Sequence, residues 1–223
     1  MEYSLSDILH GVRVVLGENE SIDQLLEDSG VNDDQLATER DTMLRALVCK
    51  AADRVHQTAP LEMVADAAEL YNTWDIAGAT SLCDSSTLPK DFLRLYYVQL
   101  GGWDIPVTEA IDAKDDEYLT YRSKFGGIRP TKKHPGVAIV PTMNGLMLEA
   151  YPKSSDGNRV LEIIRKASID EEDETVNIAE ACYDAVVYMI ANLYYVSIDE
   201  NEKAKMMAGE VAEILGLNVA KEE

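Results

Sequence analysis

Close-set cysteines are missing from this chain of 223 residues. Its three, Cys49, Cys83 and Cys182, stand far apart with no CxxC pair. An odd, scattered set argues against a disulfide framework and for reduced thiols in an intracellular setting. The three histidines, His10, His56 and His134, make neither HxxxH nor HExxH and have no cysteine near them in sequence, so no zinc site is expected. GxSxG is absent, which removes the nucleophile elbow of an esterase. GxxxxGK[ST] and GxGxxG are absent too, which removes the usual phosphate cradles. The most apolar helical stretch, IAEACYDAVVYMIANLYYV, is broken by Glu180, Asp184 and Asn192, so no membrane span is expected. The first residues, MEYSLSDILHG, carry acids where a secretory leader would be basic. No cofactor, metal site or enzymatic activity is expected. Cys182 falls on the apolar face of its helix as a small core residue, and the acidic clusters at 115–117 and 170–174 lack the spacing and central glycine of an EF-hand loop.

Acid, in contrast, is abundant. The net charge is −21 and the isoelectric point is near 4.4. Such a field repels nucleic acid and anionic membrane, although it leaves room for a protein that encloses DNA without gripping it. The charge is unevenly spread. Residues 1–40 hold ten acids against two basic residues, and residues 170–223 hold fourteen against three. Between residues 118 and 148 there is no acid, only Arg122, Lys124, Arg129, Lys132 and Lys133. These five sit in YRSKFGGIRPTKKHPG, whose glycines and prolines indicate a long basic loop. Three readings compete for it: a solvated loop, a phosphate site, and a contact device for an acidic partner such as an identical neighbour. Different patches meeting across copies make a heterologous contact, and such contacts close into rings.

Hydrophobic spacing gives the architecture. Leu5, Ile8, Leu9, Val12 and Leu16 repeat at helical intervals behind a capping-box-like Ser4/Asp7 pair, and Gly17 ends the run. Leu44, Leu47, Val48, Ala51 and Val55 line a second helix that Pro60 closes. The segment 61–87 is ambiguous, with Gly78 and the Ser85-Ser86-Thr87 cluster pointing to a loop. Residues 92–103 are rich in strand formers, and a helix-like polar stretch follows them. Asn144-Gly145 marks a hairpin, and a turn at Asp156-Gly157 leads to a third strand at 160–169, so a three-stranded meander is expected. Pro141 belongs at an edge or bulge. Two helices end the chain, one with Ile178, Cys182, Ala185, Val186, Ile190 and Leu193 on its face. The other follows a Ser197/Glu200 capping box and ends at Gly216. The expected class is therefore α+β: a helical bundle flanking a small antiparallel sheet or meander, with a long basic loop. The expected division is an acidic helical extension over 1–40 and one α+β domain over 41–223.

One succession of segments carries a resemblance: LPKDFLRLYYVQLGGWDIPVTEAI, DDEYLTYRS, the basic loop, HPGVAIVPTMNGLMLEAYP, and paired helices. In that order it resembles the head-to-tail connector (adaptor, ring) proteins of tailed bacteriophages, closest to those of podovirus-like and crAss-like phages. The likeness rests on Leu88-Pro-Lys-Asp-Phe92, Trp103 with Pro106, Tyr118 and Tyr121, and Leu148-Glu-Ala-Tyr-Pro152. The resemblance implies a non-enzymatic virion protein at the head–tail junction, assembled in the bacterial cytoplasm. It implies a ring of identical subunits, dodecameric in typical relatives, that docks on a portal protein and on further tail proteins. Genomic DNA would pass through an acidic lumen without specific binding, and no membrane would be involved. Trp103 is suited to anchoring an interface, and Arg122, Lys124, Arg129, Lys132 and Lys133 to gripping a neighbour. The alternative is a non-viral cytoplasmic module whose acidic surface binds or regulates a cationic protein.

Overall fold

The periodicities resolve into an α+β chain with small, mainly antiparallel sheets. The computed structural model describes residues 1–17, 33–71, 73–74, 82–123 and 125–217, with the backbone alone over 33–39. In chain order the elements begin with β1 (Glu2–Ser4), α1 (Leu5–Val15), α2 (Asp33–Thr58) and a 3-10 helix (Leu61–Ala67). Then come β2 (Ala68–Leu70), β3 (Asp84–Thr87), β4 (Phe92–Leu100), β5 (Ile111–Asp112) and α3 (Asp116–Tyr121). A 3-10 turn (Gly126–Ile128), β6 (Gly136–Thr142), β7 (Gly145–Tyr151) and β8 (Arg159–Arg165) follow. The last are β9 (Ile169–Asp170), β10 (Thr175–Asn177), a 3-10 turn (Glu180–Cys182), α4 (Tyr183–Ser197) and α5 (Asn201–Ile214). No helix among the described residues is long and apolar enough to cross a membrane.

Two compact units result, Met1–Ala67 with Lys166–Glu223, and Ala68–Arg165. The expected boundary after residue 40 falls inside α2, whose backbone runs on unbroken. In the first unit α4 packs against α1, α2 and α5. That central place suits a helix with apolar residues on most sides, and Ala185, Val186, Ile190 and Ala191 are fully buried. Ile8 and Val12 of α1 are fully buried, as are Leu44, Val48, Ala51 and Val55 of α2. His56 is buried with them, and its Nε2 accepts the Ala179 amide at 3.1 Å. Burial holds its pKa below the ordinary value, so it packs as a neutral ring. Cys182 is a core residue as expected, with burial pushing its thiol up to about 11. Both expected capping boxes are absent. The Ser4 hydroxyl contacts Ser6 instead, and the Leu5 amide is satisfied by the Glu174 carbonyl at 2.8 Å. Ser197 ends α4 rather than starting α5, because its hydroxyl donates back to the Tyr194 carbonyl at 2.6 Å. The Gly216 cap does form, at φ +63°, with the Leu217 amide reaching the Ala212 carbonyl.

The second unit holds two sheets, ordered β2-β8-β4 and β3-β7-β6-β5. The β6–β7 hairpin pairs from Gly136↔Tyr151 to Thr142↔Gly145, so Met143 and Asn144 form its tip. Pro141 lies beyond the short parallel pairing of β5 with β6 and so faces an edge. The expected meander stops there. β8 joins β4 and β2 in the other sheet, because both sides of β7 are taken, by β6 and by β3. The strand β3 is formed from the residues expected to be a loop: Asp84, Ser85 and Ser86 are buried there. Gly78 lies outside the described residues. No helix follows Trp103 directly; β5 comes first and α3 begins at Asp116.

The Gly101-Gly102 pair has a clear reason. The Gly101 amide donates to the Asn158 carbonyl at 2.8 Å, and its carbonyl accepts from the Ser155 amide at 2.9 Å. A Cβ at Gly101 would lie 1.6 Å from the Asp156 carboxylate, and Gly102 adopts φ +88°. Only glycine permits that close approach of two backbone segments.

Candidate functional site

Strand alternation sets Glu149 and Tyr151 on one face of β7, and helical spacing sets Tyr118, Tyr121 and Arg122 along one side of α3. These residues converge. Glu149, 7% exposed, accepts the Tyr118 hydroxyl at 2.9 Å and the Tyr151 hydroxyl at 2.5 Å. Arg122 donates to the Tyr118 oxygen at 3.4 Å and lies 5.8 Å from the centre of its ring. Tyr121 meets Tyr151 edge to face at 5.5 Å and donates to Glu117 at 3.3 Å. The chain then passes so close that a Cβ on Gly136 would come within 2.4 Å of the Tyr121 ring.

Burial, reinforced by the hydrogen bonds to Glu149, raises the pKa of Tyr151 and Tyr118; burial and then the Glu117 charge push Tyr121 up to about 12. Hydroxyls held so firmly protonated are poor bases and poor nucleophiles. The shared hydrogen bonds tie α3 to β7, and the cluster makes a pH prediction. Each of these tyrosines binds its proton more tightly folded than unfolded. Stability is therefore level below about pH 10 and falls as pH rises through the folded values, by at most about 1.4 kcal/mol per pH unit for each tyrosine. Urea melts taken between pH 10 and about 12 should show this slope, and Tyr121→Phe should reduce it.

Tyr151 of this cluster also lines a cleft. Leu82, Gly126, Arg129, Pro130, Tyr151, Pro152 and Lys153 enclose about 350 Å³. One wall is fixed by the Lys153 amide donating to the Leu82 carbonyl at 3.1 Å. Arg129 is half-buried and Lys153 exposed, and neither pairs with a carboxylate among the described residues. Leu119, Phe125 and Ile128, at 72%, 77% and 57% exposure, add apolar surface on the segments around Arg122 and Arg129.

Of the residues singled out in the sequence, Arg129 is in the cleft wall. Arg122 anchors the tyrosines from an exposed position, and Lys132 and Lys133 are exposed without ion pairs among the described residues. The Lys132 carbonyl accepts the Asp104 amide at 2.8 Å, which ties the segment down. Lys124 lies outside the described residues. Trp103 must be corrected: it is 6% exposed, packs with Leu88, Phe92, Val98 and Leu161, and donates its indole N–H to the Pro152 carbonyl at 2.8 Å. A buried and satisfied indole is a core residue of this subunit and offers a partner little surface. Sequence reasoning missed Lys153 and Glu149. Glu149 left a trace, a lone acid inside the apolar run GLMLEAY, whereas no spacing links Lys153 to Arg129.

Among the described residues, no group of three or more His, Cys, Asp or Glu side chains is placed to hold a metal. A scan against protein-family models finds no match, and a search of curated proteins finds no similar chain.

Proposed function

We propose that the chain is a structural subunit of a phage head-to-tail connector. Copies assemble side by side into a ring between portal and tail, and DNA passes through an acidic lumen. The observation that supports this reading is the division of charge between the units. The unit Met1–Ala67 with Lys166–Glu223 holds 28 acids against nine basic residues, −19, while Ala68–Arg165 holds 13 against eleven, −2. Four of those eleven, Arg129, Lys132, Lys133 and Lys153, have no carboxylate partner among the described residues. Unpaired cations on one unit and a large acid excess on the other are the ingredients of a heterologous contact. An anionic bore also lets a phosphate backbone slide instead of sticking.

Purified protein mixed with portal particles should co-sediment and appear as a ring by electron microscopy. The triple variant Arg129→Glu, Lys132→Glu, Lys133→Glu should lose that association while its thermal melt stays within a few degrees of the parent, since Lys132 and Lys133 are exposed and the half-buried Arg129 has no ion pair to lose among the described residues. Wild-type protein that ignores portal particles at any salt concentration would refute the connector reading.

A further inference from the structure

The acidic unit carries one feature opposite in charge to the cleft. The turn between β9 and β10 is pinned at its base by the pairing of Asp170 with Thr175 and of Ile169 with Val176. The Asp170 carboxylate accepts the amides of Glu172 at 2.9 Å and Asp173 at 3.4 Å. Glu174, at φ 51°, completes the bend and pairs with Arg45 at 3.0 Å. Asp170 and Glu174 are thus used in holding the turn. Glu171, Glu172 and Asp173 are left exposed, with no cation beside them among the described residues. The result is an exposed acidic knob whose base is fixed by strand pairing.

The cleft is the converse: a concavity of about 350 Å³ with Arg129 and Lys153 in its wall and, among the described residues, no counter-charge on either. That volume lies at the lower end of the range for pockets that take small ligands, about 300–1,000 Å³. It has room for a carboxylate side chain with apolar contact from Leu82, Pro130 and Pro152. We propose that the Arg129–Lys153 cleft of one copy receives the acidic turn at residues 170–174 of the next copy. The inference rests on the ring reading and adds its contact: a socket on one unit, a knob on the other, repeated around the ring. Guanidinium and ammonium groups that converge on one concavity can hold a carboxylate with charge-assisted hydrogen bonds. Both surfaces are held by backbone hydrogen bonds, so little ordering is needed on binding. DNA phosphate is the weaker candidate, because a net charge of −21 opposes its approach.

The test uses the full-length chain and a fluorescein-labelled, cyclised peptide of residues 168–176, followed by anisotropy. Wild type should bind the peptide and release it as salt rises. The pair Arg129→Glu, Lys153→Glu should weaken binding at least about tenfold with an unchanged melt. A peptide carrying Glu171→Gln, Glu172→Gln and Asp173→Asn should bind wild type as poorly. Equal binding by wild type and the cleft variant, or none by wild type, overturns the proposal, as does a labelled DNA oligonucleotide binding the cleft more tightly than the peptide. The two readings fail separately. Rings on portal particles with no peptide capture would sink the knob-and-socket contact alone, and peptide capture without portal association would sink the connector reading alone.

Discussion

Asp84→Ala should cost about 3 kcal/mol and loosen the second unit along the seam between its two sheets. Asp84 opens β3, in one sheet, and is 2% exposed. One carboxylate oxygen accepts Arg159 at 2.9 Å, from β8 in the other sheet; the second accepts the Ser154 amide at 2.7 Å. A single side chain therefore ties both sheets and the turn that links β7 to β8. Truncation leaves the Arg159 guanidinium, 27% exposed, beside an empty space, and its Nε already has no partner among the described residues. Removing one member of a buried pair costs about 3–5 kcal/mol, and the partial exposure of Arg159 sets the lower end of that range. Asp84→Asn keeps an acceptor for the Ser154 amide but not the charge, so about 1–2 kcal/mol is expected. Urea unfolding checks both: the midpoint should fall with the slope unchanged. An Asp84→Ala loss below about 1 kcal/mol would mean the seam is held by apolar packing alone.

The elements legible in the sequence are those whose burial repeats at a fixed period. The stripes of α1 and α2 and the face of α4 were all readable from apolar spacing, as was the β6–β7 hairpin from its turn residues. What was not legible depends on partners distant in sequence. The run Asp84-Ser-Ser-Thr87 is polar and reads as a loop, yet it becomes a strand because β7 offers an unpaired edge and Arg159 meets the acid. The third meander strand was misassigned for the same reason: local turn chemistry at Asp156-Gly157 shows that the chain reverses, not which sheet it reverses into. Capping boxes failed where a tertiary acceptor or a back-bonded hydroxyl satisfied the helix end instead.

The cleft was half legible. A span of 31 residues without an acid marked where unpaired cations would lie, and Arg129 does line the cavity. Lys153 and Tyr151 complete it only because the hairpin returns β7 to the same place. Trp103 misled because an aromatic at the end of a strand, flanked by glycines, reads alike whether it faces a partner or its own core. The Pro152 carbonyl, 49 residues away, decides the matter.

The acid that holds Tyr151 in the cleft wall carries the other large effect. Glu149→Ala should cost about 4 kcal/mol and weaken capture of the acidic peptide as well. The substitution leaves the Tyr118 and Tyr151 hydroxyls without their shared acceptor, in a place 7% exposed, and opens a void beneath Tyr151. Tyr151 lines the cleft, so its ring loses the bond that fixes its position. Glu149→Gln keeps the volume and one acceptor and should cost about 1–2 kcal/mol. A double-mutant cycle separates the hydrogen bond from the packing. If the unpaired hydroxyl is the main penalty, Glu149→Leu combined with Tyr151→Phe should cost clearly less than the sum of the two single changes, by about 1 kcal/mol or more. Strict additivity would mean that shape, not the buried carboxylate, holds the wall. Peptide affinity then adds a separate reading. It should follow Glu149→Ala downward while both Arg129 and Lys153 remain in place, because the socket depends on the bond that holds Tyr151 as well as on the charges in its wall.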